Sequence, residues 1–137
     1  MQKLNKVLAT GAVVAGIACM TVTAFAATRI TFKVNSVTVT GRLAYLDSVD
    51  TDPFDRDSVT ARTTSPSVMD SIAATAVIYY AEGSTMKSIT ESNVKYNSNE
   101  CSITARESLI GVGYRGEGKH RASHGQKSNS GDTVVSW

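Results

Sequence analysis

Five carboxylates, Asp47, Asp50, Asp52, Asp55 and Asp57, fall within eleven residues, with Arg56 as the only opposing charge among them. Oxygen ligands at that density suit a Ca²⁺ cage, which takes about six to eight hard oxygen atoms. The spacing is not that of an EF-hand. The Gly that permits the tight turn and the terminal Glu are both absent, and Pro53-Phe54 sits where such a loop would wrap. A solvated connection between strands, its charge discouraging edge-to-edge pairing, is the competing account of the same residues. His120 and His124 are the two histidines. On a helix they would share a face and could hold one Zn²⁺, but on a strand they lie about 13 Å apart at roughly 3.3 Å per residue. The glycines before them favour a strand or loop, and no third ligand stands at helical spacing.

Cys101 with one of these histidines supplies the residue types of a thiol nucleophile and its base. Catalytic thiols need an electropositive, partly exposed position, whereas Cys101, Ile103 and Ala105 alternate with Ser102, Thr104 and Arg106 as in a half-buried strand. A buried thiol is the reading this pattern favours. Gly111-Val112-Gly113-Tyr114-Arg115-Gly116 matches the dinucleotide fingerprint in letters, yet no helical pattern follows to receive a pyrophosphate. The glycines read instead as bulges or close strand crossings. No serine sits in a Gly-x-Ser-x-Gly elbow. The expectation is a protein without catalytic residues and without a cofactor, calcium being the one ion its acidic loop suggests.

Between Arg106 and Lys127 five basic residues, Arg106, Arg115, Lys119, Arg121 and Lys127, face only Glu107 and Glu117. The candidate ligand-binding set is Tyr114, Arg115, Lys119, His120, Arg121 and His124, which would suit an anionic cell-wall polymer, a glycan or a membrane surface with salt-sensitive affinity. Charge spread over two faces of one hairpin is the plainer alternative. Tyr45, Tyr79, Tyr80, Tyr96, Tyr114 and Trp137 would serve as sugar-stacking platforms if exposed, but most are expected in the core.

The segment that precedes these elements reads as an address. Lys3 and Lys6 lead an uncharged run that ends in Ala24-Phe25-Ala26, the pattern of a secretory signal cleaved after Ala26. An uncleaved membrane anchor is the alternative, weakened by the run's Ala, Gly and Thr content. Removing residues 1–26 takes two Lys and no acid from a chain of 14 basic and 12 acidic side chains, leaving a net charge of zero. Nucleic-acid binding, which needs a surplus of cations, is not supported. Cys19 leaves with the leader, so Cys101 has no intramolecular partner.

From residue 27 to 137 the dominant period is two. Ile30, Phe32 and Val34 alternate with polar residues, and the apolar parity then switches across Asn35-Ser36 to Val37 and Val39, as a two-residue turn or a bulge requires. Val59, Ala61 and Thr63 mark another strand, and residues 72–80 are apolar on both sides. Glu82-Gly83-Ser84 reads as a turn, and Asn97-Ser98-Asn99 as a second one joining a hairpin of the Val94-Tyr96 and Cys101 strands. Ser65-Pro66-Ser67 could cap one short helical turn. Seven to nine short extended segments result, and of 32 Ser and Thr, 29 follow residue 26, where they suit the outward positions of strands. The expected fold is all-β, a single small antiparallel β-sandwich over 27–137, with a small β-barrel as the alternative.

Over residues 119–137 the combination of His, Gly and Ser ahead of an aromatic end resembles lactococcin-972-type bacteriocins in composition. That resemblance implies a secreted antimicrobial protein and assigns no residue a role. The residues themselves favour a secreted, non-enzymatic module that binds at or near the bacterial envelope, with a bacteriocin-like toxin as the alternative.

Overall fold

A computed structural model describes residues 29–46, 56–108 and 111–137. Six antiparallel strands follow one another: β1 (Arg29–Val34), β2 (Val37–Leu46), β3 (Ser58–Glu82), β4 (Thr85–Arg106), β5 (Val112–His124) and β6 (Lys127–Ser136). They hold 88% of the described residues, with no helix among them, in one sheet nearly closed into a barrel-like shape. The all-β expectation holds, in the form of sandwich or small barrel. Residues 1–28 and the loop carrying Asp47, Asp50, Asp52 and Asp55 lie outside the described residues.

The closure follows from one strand serving two layers. Residues 58–64 of β3 pair with β2, and residues 71–81 pair with β5. β4 pairs with both halves, so it occupies one edge of β3 while β2 and β5 share the other. Between Thr64 and Met69 the pairing with β4 is interrupted. Pro66, which cannot donate to a ladder, sits in this interruption. β1 then approaches β6, where Asn129 Nδ2 donates to Lys33 O (3.0 Å), and the turn after β1 meets the end of β5, where Asn35 Nδ2 donates to His124 O (2.9 Å).

Alternation explains what these strands bury. Ile30, Phe32 and Val34 point inward from β1, and beyond the Asn35-Ser36 turn Val39 and Leu43 do so from β2. Asn35 takes a left-handed φ of 56°, a conformation Asn tolerates better than most residues. Val59, Ala61, Met69, Ile72, Ala74, Ala76 and Ile78 from β3, with Cys101, Ala105 and Ala122, complete the core. Each large aliphatic side chain buried this way contributes about 2 kcal/mol.

Several local expectations are corrected. The described residues form six strands where seven to nine short segments are expected, because two are long: β3 has 25 residues and β4 has 22. Ser65-Pro66-Ser67 forms no helical turn; Ser67 N–H donates to Ser65 Oγ (3.2 Å) inside the bend of β3. Asn97-Ser98-Asn99 joins no hairpin, since both flanking segments pair with β3. It is an irregularity within β4, where Asn97 has a φ of 48° and Ser98 Oγ bonds locally to Glu100. Of the aromatic residues expected inside, Tyr80 is buried, but Tyr96 is 73% exposed.

Candidate functional site

The six residues singled out on β5 divide between two environments. Arg115, Lys119 and Arg121 project outward, while Gly116, Gly118, His120 and Ala122 face the core and are buried. Period two fixes this division, and an irregularity between the Tyr79 and Tyr80 rungs of β3 lets Tyr114 join the outward group beside Tyr79.

His120 is fully buried and does not lie on an exposed strand. Its Nδ1 meets Thr63 Oγ1 and its Nε2 meets Thr133 Oγ1, both at 2.9 Å. Thr63 Oγ1 donates its single proton to Ala73 O (2.8 Å), so it accepts from Nδ1–H; Thr133 Oγ1, closer to Nε2 (2.9 Å) than to its other acceptor Gly118 O (3.4 Å), donates to Nε2. Burial holds the imidazole down to about pH 4 for its titration, so it is neutral at physiological pH. Gly41 covers the ring so closely that a Cβ at residue 41 would overlap it. The arrangement makes His120 a fully hydrogen-bonded core residue. His124, at the β5–β6 turn, has its Nδ1 3.8 Å from Asp70 Oδ1. With one ring inside and the other at the turn, the strand reading of their spacing stands.

A second polar centre lies at the opposite end of β5. Asp57 and Glu107 are both buried. Asp57 N–H donates to Glu107 Oε1, Glu107 N–H to Asp57 O, and Gly113 N–H to Asp57 Oδ2, each at 3.1 Å. Glu107 Oε2 has no hydrogen-bond partner among the described residues. A Cβ on Gly113 would stand 2.8 Å from Trp137 Cζ2, 3.0 Å from Asp57 Oδ2 and 3.1 Å from Glu107 Oε2, so these groups converge on the glycine. Trp137 stacks in turn on Tyr45, with ring centroids 3.6 Å apart. Burial first, and the neighbouring Asp57 charge in addition, raise the Glu107 carboxyl to about 7. Asp57, the one described member of the acidic loop, is thus engaged with backbone and Glu107. Among the described residues no group of three or more His, Cys, Asp or Glu is gathered for a metal ion.

The outward face of β4, β3, β5 and β6 is the accessible surface these elements build. Across it Ala73 lies between Val94 and Arg121, Thr75 between Ser92 and Lys119, and Tyr79 between Ser88 and Arg115. Hydroxyl pairs tie the strands laterally: Ser71 with Ser123 at 2.6 Å and Thr75 with Ser92 at 2.9 Å. Arg115 is held by Glu117 (2.7 Å) and lies 5.8 Å from the Tyr79 ring centroid, while the Tyr79 hydroxyl donates to Glu117 (3.2 Å). Lys119 and Arg121 are exposed and form no ion pair among the described residues. Burial removes Glu107 from this surface; Glu117 stays on it, paired with Arg115, and Asp132 of β6 stands opposite Lys119.

Cys101 is buried, as its alternation indicates; Sγ donates to Asn93 O (3.3 Å), and burial pushes the thiol up. The fingerprint glycines lie on β5 and just before it, with no helix following. Thr63, Thr133, Gly41, Tyr79 and Glu107 escaped the sequence reading as partners because each lies on a different strand from the residue it serves, or is separated from it by many residues. Comparison with protein-family models, with curated proteins and with solved structures finds no match.

Proposed function

We propose that this chain is an exported, non-enzymatic binding module whose outward β5 face holds an anionic polymer of the bacterial envelope. The observation that carries the reading is the file of Arg115, Lys119 and Arg121 on one face, with Lys119 and Arg121 unpaired among the described residues. Ser71, Thr75, Ser92 and Ser123 beside them offer hydroxyls, and Tyr79 and Tyr114 close one end of the file. Cations give attraction without demanding one ligand geometry, and the hydroxyls supply hydrogen bonds that a sugar or polyol phosphate can return.

Retention of the chain on insoluble anionic wall polymer at low salt tests this. The reading expects retention that fades as salt rises. Each cation is worth about 1 kcal/mol near an anionic surface, so a Lys119→Gln/Arg121→Gln variant should bind about thirtyfold more weakly. Absence of retention at low salt, or equal retention of this variant, would overturn it.

A further inference from the structure

β4 is bonded to β3 along nearly its whole length, and no strand among the described residues pairs with its other edge. Over residues 85–96 it is exposed on both faces except at Ile89 and Asn93, which are half-buried. The two-residue turn at Gly83-Ser84 makes Glu82 and Thr85 a hydrogen-bonded rung. Alternation then commits the N–H and C=O groups of Lys87, Ile89, Glu91 and Asn93 to β3, and leaves those of Met86, Ser88, Thr90 and Ser92 pointing to the open edge. Lys87, Ile89 and Glu91 share the face that turns toward the core, since Ile89 packs against it.

An edge of this kind accepts one more antiparallel strand, and the charges on it select which. Lys87, whose Nζ also reaches Glu82 Oε2 of its own chain (2.8 Å), and Glu91 flank Ile89 symmetrically and with opposite sign. A two-fold axis through Ile89 would set Lys87 of each copy opposite Glu91 of the other, at close positions with Cα atoms about 4.5 Å apart. Ile89 would meet Ile89, while Met86 with Ser92 and Ser88 with Thr90 would form the hydrogen-bonded rungs. Met86, 65% exposed, would gain a cross-strand neighbour. A register centred on Glu91 fails, because it opposes Glu91 to itself and Lys87 to Lys95. One centred on Asn93 also opposes Glu91 to Lys95, but it sets Ile89 against the irregular backbone at Asn97 and puts on the axis a side chain whose amide donates to Ser102 O (3.1 Å).

We propose that two copies of this chain associate reversibly through antiparallel β4–β4 pairing centred on Ile89. The pairing closes on itself, because the two-fold axis uses the same edge of both copies, so it yields a dimer rather than a fibre. It also continues the outward face from one copy into the other, so two files of Arg115, Lys119 and Arg121 would share one surface and bind any polymer bivalently. The pairing stands whatever that face binds.

Sedimentation velocity of the purified chain from micromolar to near-millimolar concentration tests it, with a concentration-dependent dimer as the expected result. Thr90→Pro removes an N–H from the open edge and none from the β3 ladder, so this variant should stay folded by circular dichroism and remain monomeric. Glu91→Lys should weaken association by about tenfold, as two attractive cross-strand pairs become repulsive. Lys87→Glu combined with Glu91→Lys, in a Glu82→Gln background that removes the carboxylate beside residue 87, should restore it. A wild-type chain that stays monomeric throughout would overturn the proposal. So would unchanged association of Glu91→Lys, or restoration by Lys95→Glu in place of Lys87→Glu.

Discussion

Replacing Glu107 with Gln should change how stability depends on pH, by an amount the buried carboxyl sets. In the fold Glu107 titrates near 7 against an ordinary value of 4.5. The folded state therefore holds a proton that the unfolded chain releases, and stability falls as pH rises from below 4.5 through 7. A difference of that size corresponds to about 3 kcal/mol in all. His120 acts in the opposite sense. It titrates near 4 in the fold against 6.5 ordinarily, so its contribution is present above 6.5 and is lost as pH falls toward 4. The two slopes overlap and nearly cancel between about pH 4.5 and 6.5, leaving these two groups a level combined profile there. Gln at residue 107 keeps the side chain's volume and removes one slope. Urea unfolding followed by Trp137, the only tryptophan, would measure the result at several pH values. The variant's stability relative to wild type should climb by about 3 kcal/mol between pH 4.5 and pH 8, exposing the His120 limb. A constant difference across that range would refute the assignment of Glu107 as the buried proton carrier.

Other perturbations read the same interior. Gly41→Ala drives a methyl into the His120 ring and should cost about 2 kcal/mol or more in denaturant unfolding; an unchanged midpoint would mean that the ring has room to move. His120→Ala should cost about 3 kcal/mol at neutral pH, from a cavity and the loss of two buried hydrogen bonds, and should flatten the acid side of the profile. Cys101 should resist a thiol reagent in the folded protein and react fully in urea; rapid reaction in buffer would contradict its burial.

The period-two pattern made the strands legible, and with them the inward set of Ile30, Phe32, Val34, Val59, Ala61 and Cys101. It also separates His120 from Lys119 and Arg121, since Gly116, Gly118 and Ala122 share its inward parity and are small; a Cβ at Gly118 would crowd the His120 ring, and one at Gly116 would meet Val59. The length of the strands was not legible. Pro66 and Asn97-Ser98-Asn99 carry turn chemistry, yet the β3–β4 pairing on both sides of each interruption keeps the two strands running. Local preference is outweighed there by ladder hydrogen bonds that join residues far apart in sequence. The Asp57–Glu107 pair was equally hidden, because 50 residues separate its members and only the end of the barrel brings them together.

The most direct test of the binding account is a heteronuclear NMR titration of the chain with a soluble fragment of anionic wall polymer. Shift changes should concentrate on Arg115, Lys119, Arg121 and the neighbouring Ser71, Thr75 and Ser92, and should fade with salt. No shifts at low salt, or shifts gathered on β1 and β2 instead, would contradict it.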